Sequence, residues 1–313
     1  MTNDYHRPVM LTESIDGLNI RPEGTYVDVT FGGGGHSRAI LEHLGEGGHL
    51  YAFDQDEDAE AVAEKVACGQ STGAAKFTFI HENFRYLKSF LRLQGVRQID
   101  GLLADLGVSS HQFDTAERGF STRFDGELDL RMDRRNPLSA RELVNSADET
   151  ELARLLKLYG ELPNARQMAK AIVKARAEAE IVTTADLRRA VAHHLPRGME
   201  NKYLAMLFQA LRIEVNGELD ALREMLVQAS QLLVPGGRLV VISYHSLEDR
   251  LVKNYMRSGN FEGEVEKDFY GNPIVPLRQL KKCAASDEEL AVNNRARSAR
   301  LRVAEKVESK TEK

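Results

Sequence analysis

Residues 27–36 read V-D-V-T-F-G-G-G-G-H, four consecutive glycines between a β-branched run and a helical pattern. Glycine has no Cβ, so such a turn brings backbone close to a ligand and takes positive φ without strain. The N–H groups and positive dipole end of the following helix then face that ligand. Asp54 closes the next apolar run, 20 residues beyond Gly34, where a carboxylate accepts hydrogen bonds from ribose hydroxyls. Together these residues read as a nucleoside-binding turn. A triphosphate loop needs G-K-[ST], and His36-Ser37 stands there instead. A dinucleotide fingerprint G-x-G-x-x-G would put Ser37 at its third glycine. Asp28-x-Thr30-x-Gly32-x-Gly34 fits the acid-then-glycine pattern of S-adenosylmethionine sites, with Thr in the first glycine's place. That cofactor is favoured, and a tight turn without a ligand is the alternative.

Asp105 ends another apolar run, Ile99 to Asp105, at the strand edge where ligands sit in open α/β sheets. Amino-group methyltransferases carry their polar catalytic motif there. Val234 to Ile242 reads V-P-G-G-R-L-V-V-I, the usual approach to the fifth strand of such enzymes. Methylation at a ring carbon would instead need a thiolate nucleophile. Cys68 and Cys283 are the two cysteines, and neither falls at a strand end. His193-His194 has no second ligand pair nearby, so it reads as a helix surface, and no metal is expected.

The elements that position these residues follow from periodicity. Strands are expected at 25–29, 49–54, 76–80 and 99–105, with helices at 37–44 and 56–67 between them. Residues 113–130 read as irregular. Helices follow, because Leu152, Leu155, Leu156 and Tyr159 fall at i, i+3, i+4 and i+7, as do Leu204, Leu207, Phe208 and Leu211. Ser146 with Glu149, and Thr183 with Asp186, read as capping boxes. A helix ending at 232–234 and a Pro235-Gly236-Gly237 turn lead to a strand at 237–243. The fold class is therefore α/β, a Rossmann-like methyltransferase sheet with an inserted all-helical domain. Its expected parts are residues 1–114, a helical insertion at 115–210, and 211–313 with a basic C-terminal segment.

A chain of 313 residues exceeds a single hydrophobic core. At 42% hydrophobic and 28% charged residues it reads as globular. No run reaches the ~18–20 apolar residues of a membrane span. The octet M-T-N-D-Y-H-R-P lacks a secretory layout, and two cysteines exclude a disulfide framework; a cytoplasmic protein is expected. The net charge of −5 gives no global sign of a nucleic-acid partner.

Several segments in order resemble the bacterial 16S ribosomal RNA cytosine-N4 methyltransferases, the RsmH/MraW family. They are T-F-G-G-G-G-H-S at 30–37, D-L-G-V-S-S at 105–110, E-R-G-F-S at 117–121 and L-D-L-R-M-D at 128–133. Q-A-L-R-I-E-V-N at 209–216, I-S-Y-H-S-L-E-D-R at 242–250 and R-A-R-S at 295–298 complete the set. The resemblance implies a class I core with a helical insertion, and methyl transfer to the exocyclic N4 of a cytidine in the decoding centre. The partner it implies is 16S rRNA in the small ribosomal subunit; a homodimer is left open. The cofactor contacts it implies are Gly34, Gly35, His36, Asp54, Phe84, Asp105 and Gln112. The chain departs from the family at His111, Asn294 and Leu162-Pro163, none of them a cofactor position.

The N4 amine is a poor nucleophile because its lone pair is delocalised into the ring. Acceptors for its protons favour the tetrahedral, nucleophilic geometry, and alignment with the methyl donor supplies much of the rate. Asp105 and Ser109, in the Ser109-Ser110 loop, are the candidate acceptors. His245 and Ser246 are candidates for positioning the base or taking its proton. Arg295, Arg297, Arg300 and Arg302 suit phosphate contact, though a solvated edge strand has the same pattern. Arg131, Arg134 and Arg135 are weaker, interleaved with Asp129 and Asp133. Phe113 and Phe120 read either as stacking partners for an extruded base or as core. The helical block is expected to supply RNA surface and wall the pocket.

Overall fold

The computed structural model describes residues 8–69, 74–121 and 124–308. The first seven residues of the N-terminal octet and the last five of the charged tail lie outside them. The chain divides into two compact units, one running to Gly107 and resuming at Leu219, the other Val108–Glu218.

The first unit is the sheet unit. In chain order it holds α1 (Leu11–Leu18), β1 (Thr25–Asp28), α2 (Gly35–His43), β2 (His49–Asp54), α3 (Asp58–Cys68), β3 (Lys76–His81), α4 (Leu87–Leu93) and β4 (Ile99–Asp105). The second unit is helical, with α5 (Ser110–Asp114), α6 (Ala140–Ser146), α7 (Glu149–Leu158), α8 (Ala165–Glu178), α9 (Thr184–Val191) and α10 (Glu200–Asn216). The chain then returns through α11 (Glu218–Leu232), β5 (Leu233–Ser243), α12 (Ser246–Ser258), β6 (Leu277–Ala284), α13 (Asp287–Val292) and β7 (Arg300–Lys306).

The sheet has seven strands in the order β3-β2-β1-β4-β5-β7-β6. The first five are parallel, and β7 runs antiparallel to both β5 and β6. Chain order reverses between β1 and β4, so their carboxyl ends flank the crevice where open α/β sheets bind ligands. β1, β2 and β4 read as apolar runs because helices cover both of their faces. On one face Tyr26, Ile40, Leu50, Leu103, Val240 and Val303 form a core; along the same face, Phe31 and Ala52 pack with Ala59, Ala63 and Val66 of α3. A Cβ on Gly17 would fall 2.8 Å from Val303 Cγ2, so its absence lets α1 lie directly on the sheet.

The helical unit buries the residues its periodicity marked, including Leu152, Leu155, Leu156, Leu204, Leu207, Phe208 and Leu211. Phe120 is buried in this core and Phe113 packs against it, so both serve packing. The stretch read as irregular from 113 begins inside the end of α5 and continues into a 3-10 turn at Ala116–Arg118, which buried polar bonds fix. Arg118 is fully buried and donates to the carbonyls of Arg131 (3.0 Å) and Met132 (3.2 Å). Asn216 accepts from Met132 N at 2.7 Å and donates to Leu130 O at 2.8 Å.

Some expectations need correction. The Thr183/Asp186 capping box is present at α9, but Ser146 caps nothing. It lies in the last turn of α6, where its hydroxyl donates to Glu142 O at 2.7 Å. Asp148 caps α7 instead, accepting from Glu151 N at 2.7 Å, and Ser139 with Glu142 makes the box at α6. β5 begins at Leu233, not 237, because the Pro-Gly-Gly segment is absorbed into the strand where its register with β4 shifts. The helical unit extends to 108 and 218, beyond the 115–210 read from sequence. Its α5 and the unbroken 17-residue α10 account for the difference. Among the described residues no helix is long and apolar enough to cross a membrane.

Candidate active site

The glycine turn closes between β1 and α2. Gly32 (φ 49°) and Gly34 (φ 71°) take left-handed backbone that side chains resist. A Cβ on Gly34 would also stand 2.9 Å from the Phe31 ring, and one on Gly35 2.3 Å from Pro8 Cγ. A Cβ on Gly33 would meet nothing within 4 Å, so the turn presents its open side there. Gly35 thus serves close packing of the chain around Pro8, while Gly33, part of the glycine run but not among the expected cofactor contacts, lines the open face.

Beneath the turn lies a network of acids and hydroxyls. Asp28, fully buried, accepts from Ser37 Oγ at 2.7 Å and Thr30 N at 3.1 Å. The Thr30 hydroxyl donates to Asp28 (3.4 Å) and accepts from Asp105 N (2.6 Å), tying the end of β1 to the end of β4. This bridge is why threonine can occupy the first glycine's position. Asp54 accepts from Gly32 N at 2.7 Å and Asp56 N at 2.9 Å, bracing the glycine turn from β2. Each carboxylate oxygen keeps a further lone pair for a ligand hydroxyl.

Asp105 is held from the end of β5. The Tyr244 hydroxyl donates to its Oδ1 at 2.7 Å. Its Oδ2 accepts no hydrogen bond among the described residues and lies 3.8 Å from His36 Nδ1. His36 is itself buried, with Nε2 3.1 Å from Val9 O. A carbonyl only accepts, so Nε2 carries a proton and Nδ1 faces Asp105. Burial pushes the Asp105 carboxyl up to about 6, against the opposing pull of His36 and the Tyr244 bond. Burial likewise pushes Asp54 to about 6, against its two backbone N–H bonds. It raises Asp28 as well, and holds the Tyr244 phenol well above its usual range.

Gly34, Gly35, His36, Asp54 and Asp105 therefore meet at the carboxyl edge of the sheet unit. Phe84 opens a 3-10 turn just past β3, half-buried beyond the same edge, with Asn83 Oδ1 accepting from Arg85 N at 2.9 Å. His245 and Ser246 follow β5. His245 is the N-cap of α12: its Nδ1 accepts from Glu248 N, while Glu248 Oε2 accepts from Tyr244 N and His245 N. With Nδ1 so engaged, Nε2 bears the proton and the ring has no free lone pair for a substrate proton. Ser246 is exposed in the first turn. Ser109 and Gln112 belong to the helical unit, where they form the capping box of α5. Tyr244, whose hydroxyl holds Asp105, is the site residue that the sequence did not single out. Its only trace was a polar aromatic within I-S-Y-H-S at the end of a strand.

The residues present suit S-adenosylmethionine. Asp54, at the end of β2, can accept from ribose hydroxyls. Asp28, Asp54 and Asp105 make the edge electronegative, favourable to a sulfonium and hostile to a phosphate. The open side at Gly33 leaves room for close approach.

The sequence profile of the MraW methylase family matches residues 3–307. The "Ribosomal RNA small subunit methyltransferase H" of Flavobacterium johnsoniae is 55% identical over 98% of this chain and 99% of its own length. That of Phocaeicola vulgatus is 55% identical over 96% and 97%. Among solved structures, an rRNA methylase from Streptococcus thermophilus covers 97% of this chain and 99% of its own, at 12% identity and a TM-score of 0.45. A profile match from one end of the chain nearly to the other, with relatives above half identity over their whole length, makes the chain a member of the MraW methylase family.

Proposed function

We propose that this protein transfers a methyl group from S-adenosylmethionine to the exocyclic N4 of a cytidine in the 16S rRNA of the small ribosomal subunit, in the cytoplasm. The observation that carries the chemistry is the Asp105 carboxylate, fixed at Oδ1 by Tyr244 and presenting Oδ2 without a hydrogen bond at the end of β4. The full-length likeness to proteins named as small-subunit rRNA methyltransferases supports the substrate.

When bound, S-adenosylmethionine supplies an electrophilic methyl on a positively charged sulfur. Asp54 and the open backbone at Gly33 hold the nucleoside end, with Gly34 setting the turn. Asp105 Oδ2 accepts one N4 proton, drawing the amine out of conjugation so that its lone pair points along the line of attack. Tyr244 keeps the carboxylate in that orientation. A carboxyl near 6 then takes the surplus proton once the new N–C bond has formed and releases it to water. Holding the amine in line is worth ~7–11 kcal/mol of barrier in well-oriented systems.

Tritium transfer from labelled S-adenosylmethionine to small subunits from cells lacking this protein tests the reading. Label is expected in N4-methylcytidine after digestion to nucleosides, and Asp105→Ala is expected to abolish it. Cofactor binding without label in RNA would refute the ribosomal substrate.

A further inference from the structure

The arginines after residue 294 do not act alike. Arg302 is buried and forms a bidentate pair with Asp249 of α12, Nε to Oδ1 at 2.7 Å and the terminal nitrogen to Oδ2 at 2.9 Å. It is part of the fold and unavailable to a ligand. Lys282 of β6 stands directly opposite Arg302 across the ladder, and Arg300 lies two residues before Arg302 on the same face. Direct cross-strand partners have Cβ atoms ~4.5–5.5 Å apart, and residues two apart on a strand are separated by ~7 Å.

Three cations thus converge on the single carboxylate of Asp249. Burial works to raise that carboxyl, but the Arg302 bonds and the charges of Arg302, Arg300 and Lys282 hold it below its usual range. Like charges directly opposite on a ladder oppose folding. Yet the fold keeps Lys282 and Arg300 exposed, with no side-chain hydrogen bond or ion pair among the described residues. Their position has a consequence for the site. Arg300 pairs with Ser243, the last residue of β5, and Ile242 beside it pairs with Asp105. The surplus charge therefore sits at the same carboxyl edge as Asp105 and Tyr244, two strands along.

We propose that Lys282 and Arg300 clamp the phosphodiester backbone of the RNA strand that carries the target base. The inference rests on the substrate reading above and gives it a docking surface on the sheet unit. A guanidinium fork and a flexible ammonium side by side match successive phosphates. Arg302, locked to Asp249, sets the spacing between them.

The test is binding of a fluorescein-labelled single-stranded 16S RNA segment containing the target cytidine, followed by anisotropy over a salt series without turnover. Each phosphate contact contributes ~0.7 to the slope of log affinity against log salt for single strands, so Lys282→Gln/Arg300→Gln should lower the slope by about 1.4. Lys282→Arg/Arg300→Lys should keep it. Melting temperature and S-adenosylmethionine affinity report that each variant is folded. An unchanged slope in a folded Gln/Gln variant overturns the proposal. So does an equal fall from Arg92→Gln/Arg97→Gln, exposed cations in the last turn of α4 and in the link from it to β4, since net charge alone would then explain it. Methyl transfer is read separately on whole subunits, so wild-type protein that binds RNA with the predicted slope but transfers no label would sink the activity and leave the clamp.

Discussion

Asp105→Asn should stabilise the protein while disabling it. The side chains have the same shape, and the amide oxygen still accepts from Tyr244, whose hydroxyl lies 2.7 Å from Oδ1. The amide nitrogen then faces His36 Nδ1, 3.8 Å from the present Oδ2. What disappears is an ionised group that burial disfavours. The folded carboxyl sits at about 6 against an ordinary 3.8. At about 1.4 kcal/mol per pKa unit that difference is a ceiling of about 3 kcal/mol. With the side chain 22% exposed, solvent screening brings the expected gain to ~1–2 kcal/mol.

The pH dependence separates this cause from any other. A folded pKa above the unfolded one means that the native state holds the proton more tightly. Wild-type stability from this group is therefore present below about pH 4 and lost as pH rises through about 6. Asparagine does not titrate. Its advantage should be absent at the acid end, grow across that window and be complete above it, where melting should rise by about 3–6 °C. Methyl transfer should fall by about 10²–10⁴. Melting curves of both proteins between about pH 4 and 8, with tritium transfer at the upper end, make the measurement. A variant that melts lower than wild type above pH 6, or whose advantage does not change with pH, would refute the placement of a strained carboxylate at the end of β4.

Tyr244→Phe removes the hydrogen bond that lowers the Asp105 pKa. The acid limb of the pH–rate profile should move up by about one unit, and the maximal rate should fall about tenfold. Gly34→Ala asks a side chain to adopt φ 71° with its Cβ 2.9 Å from the Phe31 ring. The backbone term alone costs ~1–2 kcal/mol, and calorimetric titration should show cofactor affinity reduced at least tenfold if the turn opens to relieve it. Arg302→Met leaves Asp249 without its bidentate partner beside a buried strand, and urea unfolding should show a loss of about 3–5 kcal/mol.

The parts of the site legible in the sequence are those that lie within one stretch of chain. Four glycines and Asp54 could be placed because a strand–turn–helix unit fixes their relation locally, and Asp105 because an apolar run ends there. Tyr244 and Asp105 are 139 residues apart, and only the pairing of β4 with β5 makes them neighbours. Nor does sequence reveal that His36 donates to Val9 O, 27 positions earlier. Ser109, Gln112 and His245 sit in segments that resemble a catalytic family, yet each also makes a helix cap, and spacing alone does not separate the two uses. β6 was hidden for another reason: nearly every residue along it is exposed, so it carries no apolar alternation. Arg302 read as one of four phosphate ligands because its partner, Asp249, lies 53 residues away on α12.

The acids around the glycine turn make a last, sharper demand on the cofactor. Asp54 and Asp105 each stand at about 6 because burial penalises their charge, while Asp28 and Asp56 repel Asp54, and Asp28 and Glu248 repel Asp105. A cation placed among them reverses that penalty and draws both pKa values down. At a pH near 6 its binding must therefore release protons, and by linkage its affinity must climb as pH rises through that value. A ligand of the same shape without the positive sulfur gains far less. S-adenosylhomocysteine is that ligand, since it lacks only the methyl group and its charge. Calorimetry near pH 6 in buffers of different ionisation enthalpy should show up to about one proton released with S-adenosylmethionine, since each carboxyl is then half-protonated, and fewer with the homocysteine product. The affinity ratio of the two should accordingly shift toward S-adenosylmethionine between about pH 5 and 7.5. A ratio constant across that range would mean that the carboxylates do not face the sulfonium, and the cofactor's orientation in the site would have to be redrawn.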